Sequence, residues 1–258
     1  MRRLALLVAP PLALGALLLL GWDLWVRVRD IQPYILPAPS EVGAAFLDEP
    51  GRYLGALVES LVTALAGLVL ASTVAFGLAV LMAHSRVLER AIYPPALLVK
   101  VTPIVAVYPL LLIWFGFGTS PRVAVAALIT FFPMLVNAVV GLRQVDPAAL
   151  DVLRVLNASR AQVFWKLRLP SSLPYVFAAL RISVPLSLIG AVVAEFLAGA
   201  GGMGQLILIA NGEFDTDVLF AAVFVLAAAG IGITAVLSYV EARVLRWMTS
   251  AERQQMGA

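Results

Sequence analysis

The chain has 258 residues, 62% hydrophobic and only 13% charged, with a mean hydropathy of +0.99 and a formal charge of +3. A soluble core cannot use that much apolar surface, so the composition indicates an integral membrane protein. Cysteine is absent, which excludes disulfides, thiolate metal sites and cysteine nucleophiles, and the small net charge gives no reason to expect nucleic acid.

Apolar runs near the roughly 20 residues that a helix needs to cross hydrocarbon predict spans at about 4–26, 58–83, 101–120, 122–142, 175–197 and 217–246. The fold class expected is all-α: a single polytopic domain over 1–258 with about six transmembrane helices. The first run follows Met1-Arg2-Arg3 and could open a signal peptide. It is longer than a signal core, however, and Trp22 and Trp25 look like interfacial anchors, so a retained helix is expected. Residues 27–55 form a polar segment with Pro33, Pro37, Pro39 and Pro50. His84 closes the second run. It is the only histidine and reads as a solvated helix end rather than a metal ligand.

Pro103, Pro109, Pro133 and Pro185 fall inside the expected spans. Proline removes a backbone hydrogen bond and bends a helix, and such breaks are tolerated where they meet protein or a cavity. Pro103 and Pro109, with Tyr108 and Trp114, are therefore candidate pathway residues. Simple kinking for packing is the alternative.

Between the fourth and fifth spans lies DPAALDVLRVLNASRAQVFWKLRLP, residues 146–170. Asp146-Pro147 is a helix start. Leu150, Leu153, Val155 and Leu156 recur at helical spacing. Asn157 suits a left-handed turn, and a second segment through Val163, Phe164 and Leu167 should stop near Pro170. The prediction is helix, tight turn, short helix, with Arg154, Arg160, Lys166 and Arg168 outside. A loop of this kind between two apolar spans reads as a docking element for a soluble partner, or as an amphipathic segment lying on anionic lipid. Asn157-Ala158-Ser159 also matches a glycosylation pattern, which the cytoplasmic side makes irrelevant.

In the fifth span thirteen uncharged residues precede Glu195. A carboxylate at depth costs about 2–3 kcal/mol or more unless it faces protein or water. It is read as lining a pathway or locking an outer gate, or else as a structural hydrogen bond or a position near the outer headgroups. Gly199-Ala200-Gly201-Gly202-Met203-Gly204 fits Gly-x-Gly-x-x-Gly but lacks the strand that a nucleotide fold requires. A break before a short re-entrant or gate segment over 205–210 is expected instead. The tail after Met248 is polar and expected to fray.

Lysine and arginine fix the orientation. With the N-terminus inside, one side receives Arg2, Arg3, Arg86, Arg90, Lys100, Arg143, Arg154, Arg160, Lys166, Arg168, Arg181, Arg243, Arg246 and Arg253. The other receives Arg27, Arg29, Arg52 and Arg122. Both termini and the 146–170 loop are thus expected in the cytoplasm, while Glu213, Asp215 and Asp217 lie outside.

The loop resembles the EAA loop of ABC importer permeases: Glu-Ala-Ala, three residues, Gly, nine residues, an aliphatic, one residue, Leu-Pro. Here stand Asp151-Val152-Leu153, Asn157, and Leu167-Arg168-Leu169-Pro170. The spacing is kept, with Asp for Glu, Val-Leu for Ala-Ala and Asn for Gly. LPAPSEV (36–42), PLLLIWFGFG (109–118), FFPMLVNAVVGL (131–142), LPSSLPYVFAALRI (169–182) and GAVVAEFL (190–197) resemble the nitrate/sulfonate/taurine branch, which includes riboflavin and thiamine-pyrimidine-precursor permeases. The resemblance implies a type I importer permease in a bacterial or archaeal plasma (inner) membrane, with no bond chemistry of its own. It implies a second permease copy (a homodimer), an extracytoplasmic solute-binding protein, and a separate ABC ATPase that uses ATP, this chain binding no cofactor or metal. The coupling residues it marks are Asp151, Val152, Leu153, Asn157, Ala158, Ser159, Leu167, Leu169 and Pro170. The solute implied is a vitamin or precursor, or a sulfonate, taurine or nitrate-like compound.

Neither lysine supports phosphate binding: Lys100 precedes Val101 and Lys166 precedes Leu167, so there is no P-loop and ATP hydrolysis must come from another subunit. An ion-coupled secondary transporter is the alternative. It would need intramembrane ionisable pairs, and Glu195 stands almost alone. An intramembrane enzyme would need Ser–His pairs, paired acids or metal ligands that the chain scarcely offers.

Overall fold

The computed structural model describes residues 2–247; the polar tail after Met248, and Arg253 with it, lies outside them. The helices are α1 (Arg2–Val28), α2 (Pro39–Asp48), α3 (Pro50–His84), α4 (Arg86–Val101), α5 (Ile104–Phe115), α6 (Thr119–Arg143), α7 (Pro147–Val155), α8 (Arg160–Val163), α9 (Leu169–Ala198), α10 (Gly202–Glu213) and α11 (Thr216–Val244), with a π-helical turn over Phe164–Arg168 joining α8 to α9. No strand occurs among the described residues. Five helices are long and apolar enough to cross a membrane, and the bent pair α4–α5 makes a sixth candidate.

The core is α6 packed between α3 and α9. These helices approach closely because they present small residues at helical spacing. Gly67, Ala71, Ala75 and Ala79 form a buried row on α3. A β-carbon on Gly67 would lie 2.9 Å from the backbone nitrogen of Ala127, and one on Gly190 of α9 would lie 2.9 Å from the α-carbon of Ala126. In lipid, where tails are as apolar as leucine, such close backbone contact is what drives helices together. Toward one end Met82, Phe132, Leu135, Leu142 and Ala179 fill the remaining space. The outer helices α1 and α11 leave Leu17, Leu20, Ile231 and Val236 exposed, as lipid-facing helices should.

The structure departs from two expectations. The third span, expected over 101–120, is not one straight helix: α4 and α5 meet at 105°. Pro103 stands at that corner in extended conformation (φ −64°, ψ 117°), and Thr102 before it is also extended, because a residue preceding proline is pushed out of the helical region. The helix expected to stop near Pro170 instead runs on, continuous from Arg160 to Ala198. Proline lacks an N–H and its ring crowds the carbonyl four residues back, which here is Lys166. The widened π turn contains that residue, and Leu169 N–H bonds to the Phe164 carbonyl five residues back. Pro170 is thus accommodated in the first turn of α9.

Candidate functional sites: a polar latch and the 146–170 loop

Glu195 on α9 is fully buried within the protomer. Its Oε2 accepts from Ser60 Oγ of α3 at 2.6 Å and from Gly204 N–H of α10 at 3.1 Å. Ser60 Oγ in turn accepts from Met203 N–H at 2.9 Å. Oε1 has no protein partner among the described residues. One residue earlier on α3, Glu59 accepts from Gly202 N–H at 3.0 Å and from Arg122 Nη1 at 3.1 Å. Arg122, almost wholly buried at 5% exposure, also donates to the carbonyls of Gly118 and Ala200, at 3.2 and 3.1 Å.

The result is a polar latch. Two adjacent carboxyl-bearing positions on α3 and α9 and one guanidinium at the start of α6 hold the N-terminal turn of α10. The glycines of 199–204 make it possible. Gly201 and Gly202 adopt φ of +72° and +67°, conformations that side-chain-bearing residues rarely enter. A β-carbon on Gly202 would collide with the Glu195 carboxyl, and one on Gly204 with the Val192 carbonyl. The motif is therefore a close-approach device at a helix start. The segment expected at 205–210 is part of the longer α10. The two hydrogen bonds that Glu195 accepts, at about 0.5–1.5 kcal/mol each, offset part of the cost of placing it at depth.

Sequence reasoning found Glu195 but missed Glu59, Ser60 and Arg122. Their signal was weak: Glu59 and Ser60 stand at the start of an apolar run, and Arg122 was read only as a charge on the outer side. A buried Arg122 could not be inferred without its partner 63 positions away.

The aromatic and proline candidates do not converge on one point. Tyr108 is buried beside Val125 and Ala194, its hydroxyl without a partner among the described residues, so it packs next to the latch. Pro103 and Pro109 are exposed, and so is Trp114, at 68%.

At the other end, the 146–170 loop has the expected grammar. Asp146 caps α7 by accepting from Ala148 N–H at 2.9 Å. Asn157 takes φ +50°. Ser159 and Gln162 form a reciprocal capping box on α8, which the sequence reading did not identify. Asp151 pairs with Arg154 at 2.9 Å. Leu153, Ala158, Leu167, Leu169 and Pro170 are half-buried against the bundle. Val152, Val155 and Leu156 stand 59%, 81% and 69% exposed, an apolar face with nothing of its own chain to cover it.

Together the bundle, the latch and the 146–170 loop define a helical membrane-spanning subunit. No group of three His, Asp or Glu that could hold a metal occurs among the described residues. Residues 55–249 match the family model described as "Binding-protein-dependent transport system inner membrane component", and the chain belongs to that family. It is 36% identical to the riboflavin transport system permease protein of Chloroflexus aurantiacus, over 91% of this chain and 88% of that one. It is 32% identical to the formylaminopyrimidine transport permease protein of Halalkalibacterium halodurans, over 90% and 92%. To the taurine transport system permease protein of Escherichia coli it is 30% identical, over 90% and 87%. The fold is similar to that of a methionine ABC transporter solved in inward-facing conformations, with a TM-score of 0.62 at 17% identity, over 78% of this chain and 99% of that one. The protein is a multi-pass permease subunit of an ABC importer, a class that works with an ATPase and a binding protein, and it is not an enzyme.

Proposed function

We propose that two copies of this chain form an import pathway across the inner membrane, with both termini and the 146–170 loop in the cytoplasm. There α7 and the Asn157 turn seat in a cleft of an ATPase subunit, which alone binds ATP, and α8 leads back to the bundle. The observation that carries this reading is the uncovered apolar face of Val152, Val155 and Leu156 on a capped, rigid loop. An exposed apolar patch rimmed by charges marks a protein interface. Asp151, Leu153, Asn157, Ala158, Ser159, Leu167, Leu169 and Pro170 fix the shape of that element. A second copy suits the exposed row Ile113, Trp114, Phe115 and Phe117 at the end of α5.

At the outer side, Glu195 with Ser60, Glu59 and Arg122 latches α10 in place, and release of this latch accompanies solute entry. Pro103 and Pro109 shape the α4–α5 corner, with Tyr108 packed behind it and Trp114 facing the pathway. The solute is a planar vitamin or vitamin precursor, of the riboflavin or formylaminopyrimidine kind named for two relatives. The exposed Trp114 could stack on such a ring. Ion coupling has no support here: among the described residues the buried charge-bearing groups are Arg122 and Glu195 alone.

The test is a pull-down of the tagged permease from detergent extract. The native chain should retain an ATPase subunit, and Asp151→Arg combined with Asn157→Trp should lose it. A folded, dimeric native chain that retains no ATPase overturns the assignment of the loop. Uptake of riboflavin in preference to taurine, in proteoliposomes supplied with the cognate binding protein, checks the solute class.

A further inference from the structure

A cavity of about 330 Å³ opens between the cytoplasmic end of α3 and the docking loop, lined by Ala83, His84, Ala158, Arg160, Val163 and Arg168. Its charged lining is of one sign. Arg27, Arg52, Arg122, Arg143, Arg154 and Arg181 each pair with a carboxylate, whereas among the described residues Arg160 and Arg168 have no such partner. No acidic residue lines the cavity. His84 Nδ1 lies 2.7 Å from the Val80 carbonyl, which ties the ring to the backbone of α3. Its ring centroid is 6.0 Å from that of Phe164, and Trp165 meets Phe164 edge-on at 5.3 Å. Trp165 is 66% exposed. An exposed tryptophan at the end of a membrane bundle belongs at headgroup level.

Two guanidinium groups around one cavity suit a phosphate, whose oxygens take paired N–H donors. Ala83, Ala158 and Val163 supply the apolar wall that a free, fully hydrated anion does not need. We propose that the cavity seats the phosphate of an anionic phospholipid from the cytoplasmic leaflet, held by Arg160 and Arg168. The assignment rests on the cytoplasmic placement of the loop proposed above. Ala158 follows the Asn157 turn and Arg168 closes the π turn. A lipid seated there braces the docking element against α3, so a bilayer without anionic lipid loosens the link between ATPase and bundle.

The full permease, purified with its ATPase, is reconstituted into nanodiscs of phosphatidylcholine with and without phosphatidylglycerol, and retained lipid is read by native mass spectrometry. The native protein should retain phosphatidylglycerol preferentially. Arg160→Gln/Arg168→Gln should lose roughly twenty-five-fold in that preference, a factor of about five for each basic side chain near an anionic surface, while still retaining the ATPase. Arg160→Lys/Arg168→Lys should keep most of it. An unchanged preference in the glutamine variant overturns the proposal. So does equal occupancy by inorganic phosphate added to phosphatidylcholine nanodiscs, which would make this a soluble-anion site. Loss of the ATPase from the glutamine variant also overturns it, since the arginines would then belong to the subunit interface. Absence of ATPase from the native preparation strikes instead at the docking loop, and is read separately from lipid retention.

Discussion

Ser60 and Glu195 are 135 positions apart, yet Ser60 Oγ donates to Glu195 Oε2 at 2.6 Å in a fully buried contact between α3 and α9. The same hydroxyl accepts from Met203 N–H, so one small side chain ties three helices together. Ser60→Ala removes both bonds and strands a buried N–H. It should destabilise the protein by about 2–3 kcal/mol, visible as a lowered melting temperature of the purified permease. Glu195→Gln keeps the size of the side chain and one accepting oxygen, so it should fold and assemble while its transport rate changes. Native melting in the first variant and native flux in the second would falsify the latch.

The close approach of α10 to α9 is set at Gly204. Its added β-carbon would meet the backbone of α9 at Val192 and Phe196, as well as Glu195 Cβ, and backbone cannot step aside as a flexible side chain can. Gly204→Ala should cost about 1–3 kcal/mol through overpacking. Gly212→Ala on the same helix meets nothing within 4 Å and should be neutral or slightly stabilising. Comparing the two by size-exclusion yield and melting temperature separates packing at the latch from a general intolerance of α10 to alanine.

Much of this architecture was legible because lipid imposes a simple code. Uncharged runs such as 123–142 must be helices, since backbone groups have no other partner in hydrocarbon. The geometry of the 146–170 loop was legible for a different reason: Asp146-Pro147 and Asn157 state local backbone geometry, and φ +50° at Asn157 follows from the residue itself. Long-range pairing carries no such mark. Arg122 looked like an outer-side charge because its identity says nothing of Glu59, and burial of Arg122 depends on how α3, α6 and α10 meet. Pro170 misled because a proline ordinarily ends a helix. One π turn at Phe164–Arg168 absorbs it, and nothing in the sequence distinguishes that outcome from a stop.

The left-handed turn at Asn157 makes a sharp contrast between substitutions. Glycine reaches φ +50° without strain, whereas a β-branched residue there costs about 1–2 kcal/mol or more. Asn157→Gly should preserve ATPase retention and transport. Asn157→Val should weaken retention several-fold by redirecting α7 relative to α8, with little effect on the melting of the membrane bundle, because Asn157 is exposed. A valine variant that captures ATPase as well as the native chain would show that the turn geometry is not what the partner reads.

Arg143, at the last turn of α6, meets Glu89 of α4 in a two-pronged pair at 2.7 and 2.8 Å, and its Nη2 also donates to the Met82 carbonyl at the end of α3 at 2.8 Å. This fastens the first arm of the bent α4–α5 pair to the core. Both side chains are about one-third exposed, so the ion pair alone should contribute little. Glu89→Gln should therefore lower stability only modestly, and less so at high salt, where exposed charges are screened. Arg143→Gln should cost more, because it also leaves the Met82 carbonyl without its donor. The exchange Glu89→Arg/Arg143→Glu should recover part of the pair energy but not the Met82 bond. A double-mutant cycle on melting free energies measures that division. Equal losses from Glu89→Gln and Arg143→Gln would assign the whole effect to the ion pair and none to the bond that ties α6 to α3.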